Sequence, residues 1–207
     1  MRLKKIFLGL FLNFCSSLIS ANEWEGGSSE WVVGGGMGSV LISMNPKNQP
    51  SLDSGSERAE VYTIFGGYTY RNWFGVEVDI SESSKFIDKN TKFDAFVVGR
   101  SLSSKIFHHF NNNVNIYFKL GLQYIAYHQE VKSSYNLRPK VWSGTAPVFG
   151  AGVGYTFDSS VIARLDYKYS RLVLSKAEGT FPYTVDSSDE EIELNYSSLM
   201  LLMTYQF

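Results

Sequence analysis

The chain has 207 residues, with 19 Lys and Arg against 20 Asp and Glu, a formal net charge of −1 at pH 7. That length fits one domain, and the near-neutral balance lacks the basic footprint of a nucleic-acid binder. After the N-terminal segment no apolar run approaches the roughly 18 residues of a helical membrane span, while the abundance of aromatics and Gly suits strands and turns.

In chain order, Arg2, Lys4 and Lys5 form a positive segment, residues 6–14 are mostly apolar, and Ile19-Ser20-Ala21 precedes a polar Asn22. This reads as a secretory signal peptide over residues 1–21, too short for a membrane span and cleaved after Ala21. Cys15 is the sole cysteine and lies inside that leader. Phe14 stands before it where a lipoprotein anchor needs a small residue, so the mature chain is expected to carry no lipid, thiol or disulfide. Removing the leader leaves residues 22–207, 186 residues with a net charge of −4.

Eight strands follow. The first is expected over 31–43, with Gly34, Gly36 and Gly38 on one face, and the second over 58–70. Arg71-Asn72 makes a tight turn into the third, 73–81, where Phe74, Val76, Val78 and Ile80 alternate with Gly75, Glu77, Asp79 and Ser81. The fourth, about 93–102, has no clear facing. The fifth, 114–129, sets Ile116, Phe118, Leu120, Leu122 and Tyr124 against Asn115, Tyr117, Lys119, Gly121 and Gln123. The sixth, 144–157, sets Phe149, Ala151, Val153 and Tyr155 against Gly150, Gly152, Gly154 and Thr156. After a turn at 158–160, the seventh, 161–172, sets Ala163, Leu165, Tyr167 and Tyr169 against Arg164, Asp166, Lys168 and Ser170. The eighth, 192–207, carries Leu199, Leu201, Met203, Tyr205 and Phe207 on one face and ends on that Phe.

Strands of this length cross a bilayer when tilted, and a chain without an apolar helix can span a membrane only by closing such strands into a barrel. The expected fold is therefore all-β, an eight-stranded antiparallel up-and-down transmembrane β-barrel. Long connections at 44–57, 82–92, 130–143 and 173–191 fall on one side and short turns on the other, the asymmetry of external loops and periplasmic turns. The connection at 103–113 breaks the rule and is read as a periplasmic turn carrying an insert around Ile106-Phe107-His108-His109-Phe110.

The stretch Pro147-Val148-Phe149-Gly150-Ala151-Gly152-Val153-Gly154-Tyr155, followed by Ala163-Arg164-Leu165-Asp166-Tyr167-Lys168-Tyr169, resembles strands six and seven of the outer-membrane protein A-like barrel family. Asn115-Ile116-Tyr117-Phe118-Lys119-Leu120-Gly121 resembles its fifth strand, and Trp31 opening a Gly-rich first strand fits as well. The resemblance implies an eight-stranded outer-membrane barrel with a packed polar interior. It implies a stand-alone barrel here, without the peptidoglycan-binding domain that some members carry. It also implies that an interior acidic residue pairs with Arg and Lys from facing strands; Arg164 and Lys119 match the basic positions, with Glu77 the first choice for the acid. The C-terminal alternation ending at Tyr205 and Phe207 is similar to the signal read by the barrel assembly machinery.

An eight-stranded barrel is just wide enough to be filled by side chains, so inward charges must be paired. Glu77, Asp79, Lys119, Arg164, Asp166 and Lys168 fall on inward faces with both signs present, as a neutralising structural network requires. The aromatics near strand ends (Tyr62, Tyr68, Tyr70, Trp73, Tyr124, Tyr127, Trp142, Tyr155, Tyr167, Tyr169 and Tyr205) are expected to form girdles at headgroup level.

Catalytic patterns are poor. Neither His109 nor His128 has the His-x-Ser spacing of outer-membrane deacylases, and His128 with Glu130 and Ser133 is a loose set in a polar loop. Adjacent His108 and His109 point oppositely on a strand and lack a third metal ligand. Gly34 to Ser39 has no following Gly-Lys-Ser/Thr and continues as strand, not helix, and the acidic run at 186–191 lacks calcium-loop spacing. No catalytic, cofactor or metal site is expected. The expected role is a non-enzymatic, monomeric barrel of the bacterial outer membrane that displays four loops for surface interaction or adhesion and supports the envelope. Its partners would be lipid and lipopolysaccharide, the assembly machinery and host surface or matrix proteins. A narrow ion-conducting pore is the alternative, and a lipid-modifying enzyme a third.

Overall fold

The computed structural model describes residues 29–47, 56–86, 93–110, 113–131, 140–157, 160–178, 184–185 and 191–207. The expected signal peptide and most of the four long connections lie outside them. Eight long strands are formed: β1 (Glu30–Lys47), β2 (Ser56–Tyr70), β3 (Phe74–Ser83), β4 (Phe93–His109), β5 (Val114–Val131), β6 (Lys140–Thr156), β7 (Val161–Glu178) and β9 (Glu191–Gln206), with a two-residue β8 (Thr184–Val185) on the edge of β7. Each long strand is antiparallel to its chain neighbours, and β1 pairs with β9, so the ladder closes on itself. Trp31 and Phe207 exchange backbone hydrogen bonds of 3.1 and 3.0 Å at the end of that seam. Closure leaves no long strand with an unpaired edge, which is what a lipid environment demands of backbone N–H and C=O groups.

The turns on the end that carries Glu30 and Gln206 are tight. Arg71 and Asn72 both have positive φ, 48° and 58°, the backbone of a two-residue hairpin turn whose twist matches that of the strands. The reading of 103–113 as a turn with an insert is wrong. β4 runs unbroken to His109 and pairs with β5 through His109↔Asn115, and the amide of Phe110 donates to the carbonyl of Val114 at 3.0 Å. Ser103-Ser104-Lys105 looked like loop because Ser104 breaks the outward apolar alternation, yet Ser103 and Lys105 are buried inside the barrel. The short-turn rule therefore holds at all three connections on this end of the barrel.

The other ends of the strands also reach further than expected, and one feature explains why. In the lower part of the barrel the outward side chains are apolar, among them Ile64, Val76, Val78, Leu102, Phe118, Leu120, Leu122, Phe149, Leu165, Leu199 and Leu201, all exposed to the surroundings. The inward ones there are largely Gly, Ser or charged. Above the level of Tyr62, Tyr124 and Tyr169 the faces exchange. The outward positions become Arg58, Glu60, Glu82, Arg171 and Asn195, with Tyr62 Oη donating to Glu60 at 2.9 Å and Arg171 facing Glu193 at 3.4 Å. The inward positions become Val40, Ile42, Val61, Val97, Ile125, Leu172, Leu174, Ile192 and Leu194, all buried in one cluster. Lipid surrounds the first zone and water the second, and each zone turns its matching face outward. A fixed apolar-outside pattern stops at the exchange, so β7 was expected to end at 172 when it continues to Glu178.

Glycine sets how tightly β1 meets β9. A Cβ added to Gly36 or Gly38 would lie 2.8 and 2.6 Å from the Cα atoms of Leu202 and Met200, closer than any side chain tolerates. Gly36→Val should therefore keep the seam from closing. Expected is loss of the faster-migrating folded form in unheated gels, while Gly66→Ala, whose added Cβ meets nothing nearer than 3.8 Å, keeps it. Leu194→Ala empties part of the upper core at a cost of about 2–5 kcal/mol, read as easier proteolysis of the surface loops on intact cells with the gel shift retained.

Candidate functional site

The lower lumen holds a dense charge cluster built from four strands. β3 contributes Glu77 and Asp79, β4 Lys105, β5 Lys119, and β7 Arg164, Asp166 and Lys168, each two residues from the next on its strand and so on the same inward face. β2 adds Phe65 beneath them. Glu77 is the hub. It accepts from Lys119 at 2.8 Å, from Arg164 Nη1 at 2.9 Å, and from Lys105. Asp79 accepts from Lys168 at 2.6 Å and from the Ser101 hydroxyl at 2.5 Å, and Asp166 accepts from Lys119. All seven charged groups are at most 5% exposed.

The structure thus brings together all six charged residues singled out from the sequence and adds a seventh. Lys105 was missed because its strand was thought to end before it; strand parity, counted on from Ser101 and Ser103, would have placed it inward. Aromatic faces complete the setting. The Arg164 guanidinium lies 4.3 Å from the Phe65 ring centre, and the ammonium groups of Lys105 and Lys119 lie 5.1 and 5.6 Å from Tyr117. Cations over ring faces gain from the ring quadrupole, most when removed from water.

Above the cluster the lumen is sealed by the aliphatic core. Tyr127 and Trp142, expected in a lipid-facing girdle, point into this core instead, 3% and 1% exposed, with ring centres 5.9 Å apart. Both have inward parity: Tyr127 follows Gln123 and Ile125, and Trp142 precedes Ala146 and Val148. Of the other expected girdle residues, Tyr62, Tyr68, Tyr70, Trp73, Tyr155, Tyr167, Tyr169 and Tyr205 do face outward. The histidines are spread out: His108 meets Phe110 edge-on, His109 Nε2 is 2.9 Å from the Asn72 carbonyl, and His128 stacks on Phe96. Among the described residues no three His, Cys, Asp or Glu side chains converge as metal ligands. Of the set of His128 with Glu130 and Ser133 only His128, and of the acidic run at 186–191 only Glu191, lies among the described side chains.

Because Glu77 holds three cations, Glu77→Gln leaves four buried positive charges against two negative. Breaking a buried ion pair by removing one partner costs about 3–5 kcal/mol. Equilibrium urea unfolding of the refolded barrel in phospholipid vesicles is expected to show a loss of that size, larger than the loss from Asp79→Asn, which removes one cation partner rather than three.

Among solved structures, OprG from Pseudomonas aeruginosa shares 13% identity with the chain, covers 90% of it and 99% of itself, and superposes with a TM-score of 0.61. Neisserial surface protein A shares 13% identity over 87% of this chain and 99% of that one, with a TM-score of 0.60. Ail, the attachment invasion locus protein of Yersinia pestis, shares 16% identity over 86% and 99%, with a TM-score of 0.52. Identities this low establish a common fold. No curated protein sequence matches the chain. Residues 11–207 match the family described as outer membrane protein beta-barrel domain, and with a closed ladder of eight strands that is greasy outside and charged within, the chain belongs to that family of bacterial outer-membrane barrels.

Proposed function

We propose that the protein is a non-enzymatic scaffold that holds its four external loops for surface interaction or adhesion and supports the outer membrane as a monomer. The observation that carries this reading is the sealed upper lumen. Ile42, Ile125, Leu174 and Leu194 are 0% exposed and Leu172 and Ile192 are 1% exposed, so the strands that bear the loops stand on a solid aliphatic core above the membrane. A rigid platform lowers the ordering cost that loops pay on binding a partner. The same core supports the scaffold over a narrow ion-conducting pore, since an ion would have to cross an apolar plug at a desolvation cost far above thermal energy. One structure of Ail is a complex with the heparin analogue sucrose octasulfate, which makes acidic polysaccharides and the matrix proteins that carry them the first partners to try. Lipid and lipopolysaccharide around the outward band, and the assembly machinery reading Tyr205 and Phe207, complete the expected partners. The seven-charge cluster acts in this reading as a static structural network.

Cells displaying the protein should bind immobilised matrix or serum proteins above the level of cells displaying the same barrel with its four loops shortened. Equal binding by the two would overturn the adhesive role. In planar bilayers the purified barrel is expected to give no discrete conductance steps; reproducible steps would replace the scaffold with the pore. Lipid A from cells with and without the protein should give identical mass spectra, and a changed profile would make it an enzyme.

A further inference from the structure

Pro147 stands in the middle of β6, where a residue without an N–H leaves one ladder bond unmade. On the β5 side the pairing runs through it without a break, with Leu122 facing Pro147. On the β7 side the pairing stops. Ser143 pairs with Ser175 and Val148 with Ser170, and between them no residue of 144–147 pairs with 171–174. The two paired stretches are five residues apart on both strands, so the register is unchanged and no residue is inserted. The other seven seams between the long strands are continuous among the described residues.

Side chains do little to bind the two strands over this interval. Toward the lumen, β6 offers only Gly144 and Ala146 to Leu172 and Leu174 of β7. On the outer face Thr145 and Pro147 are exposed, and Arg171 turns away from β6 toward Glu193 on β9, 3.4 Å off. A side-chain bond marks the lower edge, where the buried Ser170 hydroxyl donates to the Pro147 carbonyl at 2.8 Å. The backbones nevertheless lie close, since a Cβ on Gly144 would stand 2.4 Å from the Val173 carbonyl oxygen. The interval is thus shut by packing, without paired backbone. Water can also reach it. Thr145 faces Tyr124, at the level where the two faces of the barrel exchange, so backbone groups released there are hydrated and not stranded in hydrocarbon. Beyond the interval, Val141↔Ala177, Trp142↔Lys176 and Ser143↔Ser175 are the pairs that join β6 to β7.

We propose that the β6–β7 seam is a built-in line of local opening, at which residues 140–147 and 171–178 part while every other seam stays paired. β6 remains on β5, to which it is joined from Lys140 to Tyr155, and β7 remains on β9, to which it is joined from Val161 to Ser175. The opening breaks three backbone pairs in place of a whole seam, which makes it a partial unfolding of low cost. It stops at Ser170, two residues short of Lys168, so the charge cluster stays closed. The end of the barrel opposite the short turns thereby gains two halves that move against each other. This freedom does not depend on the adhesive role proposed above.

The test is native-state amide hydrogen exchange of the refolded, ¹⁵N-labelled barrel in phospholipid nanodiscs. Ser143 and Ser175 stand in one row with Ala126 and Val98, so the β4–β5 seam supplies a control pair at equal height. Expected are protection factors at Ser143 and Ser175 on the order of tenfold below those at Val98 and Ala126, the size of effect that one missing hydrogen bond gives. Pro147→Val restores the missing N–H in a residue suited to strands. It should raise protection at Ser143 and Ser175 to the control level and leave Val98 and Ala126 unchanged. Ser170→Ala removes the hydroxyl bond and should lower protection at Ser143 and Ser175 further. Folding of both variants is scored by gel mobility. Equal protection of the two pairs in the unaltered protein overturns the proposal, and so does a folded Pro147→Val that leaves the difference as it was. If Pro147→Val does not fold, Ser170→Ala decides: a loss confined to Ser143 and Ser175 supports the opening, and unchanged protection overturns it.

Discussion

A strand that leaves a bilayer for water must exchange which of its faces is apolar. The lower part of this barrel turns Leu, Val and Phe to the lipid and encloses seven charges; the upper part turns Arg, Glu and Asn to the water and encloses Leu, Ile and Val. The same eight strands carry both arrangements in one closed sheet, interrupted between β6 and β7 at residues 144–147 and 171–174. Backbone closure makes this possible, because the N–H and C=O groups of paired positions are spent between strands and the side chains answer to the surroundings. The height at which the faces exchange, near Tyr62, Tyr124 and Tyr169, marks the headgroup level away from the short turns.

This arrangement decides what each half can do. Below the exchange, low-dielectric surroundings make isolated charges expensive, and Glu77 answers by gathering Lys105, Lys119 and Arg164 from three different strands. Such a cluster locks the relative height of β3, β4, β5 and β7, since a one-residue slip would send its members into lipid. Above the exchange, the aliphatic core is that of an ordinary water-soluble barrel. It fills the lumen at the end opposite the short turns. The open space that remains lies at the end with the short turns, so the two ends of one small protein offer different surfaces.

Much of this was legible in the residues. Alternation in β3, β5, β6, β7 and β9 gave the class, the strand count and the inward facing of Glu77, Asp79, Lys119, Arg164, Asp166 and Lys168. Three readings failed for one reason. The turn assigned to 103–113, the short reading of β7 and the girdle positions of Tyr127 and Trp142 all assumed that apolar side chains face outward along the whole strand. Following parity in place of polarity places Lys105, Tyr127 and Trp142 inside.

The sequence by itself determined that this chain closes a barrel in a membrane, because period-2 alternation without an apolar helix has no other stable solution in lipid. Only the tertiary structure decided which charges meet, that positive charge is in surplus by one among the cluster, and that Lys105 and Arg164 line the cavity at the short-turn end. Those facts depend on the heights at which four strands stand around the barrel, and register across a closed sheet is set by all of its pairings together, not by any single strand.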